Sequence, residues 1–108
     1  MQRCAAHLAS ATDLAEAFAV GEAAVAAAQA GTGGVMVTLQ RTGEAPYACT
    51  CGLADVHQVA NREKKVPADW IDTAHVGVAP AFLRYLRPLI QGQPPLQWQD
   101  GLPLHFAG

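Results

Sequence analysis

The stretch GGVMVTLQR–TGEAP–YACTCGL, Gly33 to Leu53, decides the fold class. Val35, Val37 and Leu39 alternate with Met36, Thr38 and Gln40, which is the two-residue period of a β-strand. Both sets are apolar or neutral, so the strand is predicted to be covered on both faces. Thr42–Pro46 is rich in turn residues, and Tyr47–Leu53 reads as a second strand. Ahead of this pair, Asp13–Ala30 places Leu14, Phe18, Gly21, Val25 and Ala28 at helical spacing on one face. Asp13 with Glu16 makes a capping-box-like start, and Gly31 is a suitable stop. A glycine at position 21 weakens the helix, so a closely approaching neighbour is its expected reason. Helix, strand, turn, strand predicts an α/β arrangement rather than a helical bundle.

Working outward, Ala54–Arg62 reads as a short helix, and Ala68–Ala74 as one more turn after the break at Pro67. Pro80 is placed to open a further helix, where its missing N–H costs nothing. That helix carries Phe82, Leu83, Leu86 and Ile90 on an apolar side, and Pro88 should kink or end it. Pro94, Pro95 and Pro103, with scattered Leu96, Trp98, Leu102 and Phe106, make residues 93–108 an irregular tail pinned by its aromatics. The pattern shows no internal repeat and no linker.

A chain of 108 residues suits one domain with one modest core. Half its residues are apolar, but many are alanine, which buries little area. The core should therefore be thin, and a partner surface should supply the rest. A net charge of −2 lacks the basic footprint of a nucleic-acid binder. No apolar run reaches the length of a membrane span. MQRCAAHLAS has one arginine and no continuous apolar core, so no export signal is expected. Three cysteines then predict free thiols in a reducing cytoplasm.

The chemically suggestive residues each have an ordinary reading. Cys49 and Cys51, two apart on one strand face, are candidates with His57 for a metal site. Zinc sites use longer cysteine spacings and four ligands, so buried thiols are the expected outcome. His7, His57, His75 and His105 share no spacing and no recognisable carboxylate partner. Ala30–Gly34, AGTGG, follows a helix and precedes a strand, the reverse of a phosphate loop, and reads as a helix stop. Lys64 and Lys65 follow a short helix and read as a solvated cap, with an anion contact at Lys65 as the sharper alternative. Arg3 has the planar guanidinium that suits a sugar phosphate.

These residues also carry a resemblance. Gln2-Arg3, the run AN-x-EKK-x-P-x-x-WI from Ala60 to Ile71, and Y-x-RPLI from Tyr85 to Ile90 resemble the C-terminal part of pyrophosphate-dependent phosphofructokinases. The likeness extends from Gln2 to about Gly92. It implies that residues 1–108 are a single partial domain, the last quarter or so of a two-lobed α/β enzyme of glycolysis. The implied reaction moves phosphate from pyrophosphate to the 1-hydroxyl of fructose 6-phosphate, with magnesium required by the full-length enzymes. In the family a glycine-aromatic-x-Gln-Arg motif closes on the 6-phosphate, and Gln2-Arg3 matches its end, which makes Arg3 the phosphate-binding arginine.

The family's catalytic motifs have no counterpart here. These are a glycine-aspartate for pyrophosphate, an aspartate pair after threonine-isoleucine for the base, and a Met-Gly-Arg for the sugar. Asp13, Asp55, Asp69, Asp72 and Asp100 fall in caps, turns and tail. The isolated chain is expected to be inactive, with no catalytic residue and no cofactor of its own. Its implied partners are fructose 6-phosphate and either the missing N-terminal lobe or a second copy. The alternative is a non-catalytic scaffold that stands alone or self-associates, covering its bare apolar face by pairing.

Overall fold

The computed structural model describes residues 8–104. Helix α1 spans Ala11–Gln29, two residues earlier at its start than the sequence pattern predicts. Its N-cap is Ser10, whose side chain accepts from the Asp13 N–H, so Asp13 is the third helical residue and its charge complements the helix dipole. The C-terminus closes as expected at Gly31, with φ of 75°. The Thr32 N–H donates to the Ala27 carbonyl and the Gly31 N–H to that of Ala28, the paired bonds of a Schellman stop.

Strands β1 (Val35–Glu44) and β2 (Tyr47–Asp55) form an antiparallel ribbon, in register from Val35 opposite Asp55 to Glu44 opposite Tyr47. The ribbon runs further than predicted: only Ala45 and Pro46 separate the strands, and a bulge between Arg41 and Gly43 absorbs the residues read as a turn. It is not a covered sheet. Leu39 and Leu53 are exposed.

Helix α2 (Val56–Val59) is a single turn capped by Asp55. A 3₁₀ turn (Ala68–Trp70) leads into β3 (Ile71–Asp72), which pairs with β4 (Gly77–Val78). The one further turn read for Ala68–Ala74 is therefore half 3₁₀ and half hairpin. Helix α3 (Pro80–Leu86) starts on its proline and gives way to a 3₁₀ turn at Arg87–Ile90. The tail is irregular apart from a small hairpin of β5 (Trp98–Gln99) and β6 (Leu102–Pro103).

No described residue is buried. The accessible surface is 8887 Å², against about 5,700 Å² for a compact monomer of 11.3 kDa. The radius of gyration is 17.4 Å, against about 13 Å for a compact domain of 108 residues. In place of an apolar core, a run of aromatic and polar contacts ties the elements together. Trp70 packs on Phe82 and Tyr85, with ring centroids 5.8 and 5.1 Å away. The Arg41 guanidinium lies 4.6 Å from the centre of the Tyr85 ring and 4.9 Å from that of Tyr47. It also donates to the Tyr85 carbonyl at 2.7 Å. The Tyr47 hydroxyl donates to the Glu16 carboxylate, which joins the ribbon to α1.

Candidate functional site

The residue that the sequence singles out for phosphate, Arg3, lies outside the described residues, as do Cys4, His7 and His105. The chain that follows Arg3 is described from Leu8 and enters α1 at a point clamped from the far end of the chain. Ser10 donates its hydroxyl to the Leu89 carbonyl. The Ala11 and Thr12 N–H groups donate to the Gly92 and Gln91 carbonyls, each at 3.2 Å. The Asp13 and Leu14 N–H groups donate to the Ser10 hydroxyl and carbonyl. All four amides at the start of α1 thus have acceptors, which leaves no free helix N-terminus for an anion.

Gly92 makes the clamp possible. Its φ is 73°, and a Cβ there would lie 2.7 Å from the Ala11 Cβ. Any other residue would push the tail off the helix. An open groove of about 470 Å³ lies beside the clamp, bordered by Leu8, Ser10, Asp13, Leu86 and Ile90.

Lys64 and Lys65 do not cap α2. The chain leaves that helix through Asn61 in the left-handed region, and Lys65 Nζ pairs in water with Glu63 Oε2 at 3.6 Å. Both lysines border an apolar groove of about 280 Å³ floored by Trp70, Phe82 and Tyr85. An exposed ion pair of this kind contributes little to stability.

Cys49 and Cys51 are not buried thiols: Cys49 is half-buried and Cys51 exposed. Among the described residues no three His, Cys, Asp or Glu side chains come together as a metal-binding group, so Cys49, Cys51 and His57 do not form one. One histidine does have a carboxylate partner that the sequence reading missed. Asp72 Oδ1 accepts from the Ala74 and His75 N–H groups, and Asp72 Oδ2 lies 2.9 Å from His75 Nδ1. The three-residue spacing was the available signal. The pair is exposed and closes the β3–β4 turn, so its evident role is local.

Arg41 and Tyr47 were also passed over, since a lone arginine in a strand and a tyrosine after a turn carry no pattern. Their effect is visible in the tyrosine. Its bond to the Glu16 carboxylate, with a smaller contribution from burial, holds the phenol well above its ordinary pKa of 10.0. Among the described residues no helix is long and apolar enough to cross a membrane.

No protein-family model matches the chain. Pyrophosphate–fructose 6-phosphate 1-phosphotransferase of Methylococcus capsulatus is 43% identical over 103 residues, which is 95% of this chain and 24% of that protein. The protein of the same name from Halomonas elongata is 45% identical over 103 residues, 95% of this chain and 25% of that protein. The solved pyrophosphate-dependent phosphofructokinase from Marinobacter aquaeolei superposes with a TM-score of 0.88 at 44% identity, over 95% of this chain and 26% of that one. The chain spans about a quarter of the length of these relatives. Over nearly its whole length, the chain is similar in sequence and in fold to a quarter-length, C-terminal-like portion of pyrophosphate-dependent phosphofructokinases.

Proposed function

We propose that this chain is the C-terminal part of a glycolytic, cytoplasmic phosphofructokinase that moves phosphate from pyrophosphate to fructose 6-phosphate, and that it contributes Arg3 to the sugar's 6-phosphate. The observation that carries this is the 43–45% identity to enzymes named for that reaction, with a shared fold over 95% of the chain. Arg3 is the group suited to the phosphate: a planar fork can donate two parallel bonds to it and fix the orientation of the sugar. The amides of α1, already satisfied by Ser10, Gln91 and Gly92, do not compete for that role.

Transfer itself needs a base, a pyrophosphate cradle and charge neutralisation. Magnesium would supply that neutralisation in the larger enzyme. The described residues do not fit it, for no acidic cluster is present among them, and no step is assigned to it on this chain. The isolated chain is accordingly inactive and needs the missing lobe.

The test uses a chimera in which this chain replaces the matching quarter of the Marinobacter aquaeolei enzyme. The chimera should turn over fructose 6-phosphate with pyrophosphate, whereas the pure 108-residue chain should not. Arg3→Ala should lower kcat/KM for the sugar roughly 10–100-fold, the loss of a charge-assisted pair. Equal kcat/KM with and without Arg3 removes it from the site, and product formed by the pure chain refutes its dependence on a missing lobe.

A second reading, a non-catalytic self-associating module, is favoured by the absence of any buried residue among those described. Native mass separates the two: a stable homodimer with no affinity for fructose 6-phosphate supports the module.

A further inference from the structure

Helix α1 has two unlike sides. At 100° per residue, Glu16, Val20, Ala23 and Ala27 fall within an arc of about 60°, and Leu14, Phe18, Gly21 and Val25 fall within another arc roughly 160° away. The first set is half-buried against the rest of the chain. The second is open: Leu14 is 48% exposed, Phe18 70% and Val25 58%. A Cβ built on Gly21 would meet nothing within 4 Å. The neighbour expected at Gly21 from the sequence is therefore absent from the described part of this chain.

Nine other positions of α1 are alanine, so small size alone does not account for a glycine at 21, which weakens the helix relative to alanine. A notch without even a methyl group, set between Phe18 and Val25, is shaped for a backbone crossing close to the helix axis.

We infer that Leu14, Phe18, Gly21 and Val25 form the face on which the complementary lobe of a pyrophosphate-dependent phosphofructokinase docks, with one of its backbone segments crossing at Gly21. The inference rests on the function proposed above, and the length of the relatives favours this occupant over a second copy. The surface exceeds that of a compact monomer by roughly 3,000 Å². A 19-residue helix is about 28 Å long and 10 Å wide, so pairing two copies through this face would bury only about 300 Å² each. A stable dimer needs about 800 Å² per partner. The Marinobacter aquaeolei chain, in contrast, holds this same fold as 26% of its length, leaving a lobe large enough to cover the face.

The chimera described above tests this by its melting temperature. Phe18→Glu and Gly21→Leu should each lower it by roughly 5 °C or more. Gln58→Glu, exposed on α2, should leave it unchanged. Gly21→Ala gives a reading that misfolding cannot imitate: it should raise the helical circular-dichroism signal of the free chain and lower the melting temperature of the chimera. Melting of all the face variants within 1–2 °C of the parent chimera overturns the inference, as does failure of the parent chimera to fold. A free-chain dimer that Phe18→Glu dissolves, alongside unaffected chimeras, overturns it in favour of a second copy. A folded chimera that neither binds fructose 6-phosphate nor transfers phosphate sinks the proposed function, while its melting differences still decide the docking face.

Discussion

The two sides of α1 divide the helix's attachments in an unexpected way. The side covered within the chain carries Glu16, Val20 and alanines, and the side left in water carries Leu14, Phe18 and Val25. Small residues let the helix lie close to the ribbon, and the attachment is then made by a polar bond, Tyr47 to Glu16, rather than by apolar area. The larger apolar side chains are held back for the other side. The contrast teaches that the apolar stripe of a sequence does not by itself mark which contact is local.

Substitutions on the two sides should break or sharpen that contrast. The largest effect belongs to the contacts that hold α3 on the ribbon behind the covered side. Arg41→Ala removes two stacked rings, a bond to the Tyr85 carbonyl and the pair with Glu44, and should cost about 2–3 kcal/mol in urea unfolding of the free chain. Tyr47→Phe comes next, at about 1.5 kcal/mol near neutral pH. Its effect is pH-dependent with a definite sign. The phenol's pKa is raised in the fold, so the stabilisation is complete below about pH 10 and is lost as pH rises past that value. Unfolding curves of wild type and Tyr47→Phe should converge in that alkaline range; a constant gap would remove Tyr47 as the link.

On the open side the direction reverses. Gly21→Ala should stabilise the free chain by about 1 kcal/mol, since the added methyl group meets nothing. A loss instead would mean that the face is covered in the free chain. The smallest effect is expected from Val25→Ala, within about 0.5 kcal/mol, whereas Val20→Ala on the half-buried side should cost about 1 kcal/mol. Equal costs for the two valines would erase the distinction between the sides.

Much of the fold could be read from local chemistry. Gly31 ends α1, Pro80 opens α3 and Pro88 ends it, because each residue acts on its own backbone. The ribbon followed from alternation, although its bulge hid the last residues of β1. The start of α1 was misplaced because Ser10 and Asp13 are both good caps, and what selects Ser10 is a bond to Leu89 at the opposite end of the chain. The apolar face of α1 was identified correctly as a face, but its exposure depends on which surfaces share the polypeptide, and periodicity carries no such information. Strand pairs of two residues, such as β3–β4, are too short to leave a pattern. At the candidate site, only the resemblance singles out Arg3, which lies outside the described residues. The satisfied amides of α1 were not legible, since their acceptors come from Gln91 and Gly92.

That last feature has a consequence for biosynthesis. The first turn of α1 is fastened by carbonyls about eighty positions downstream, as in the bond from Ser10 to Leu89 at a separation of 79. During translation the helix emerges ahead of these carbonyls, so the Ala11 and Thr12 amides lack them until Gly92 has cleared the ribosome exit tunnel. A nascent chain interrupted before that residue leaves the Ala11 and Thr12 amides without these acceptors, while the local Ser10 cap is unaffected.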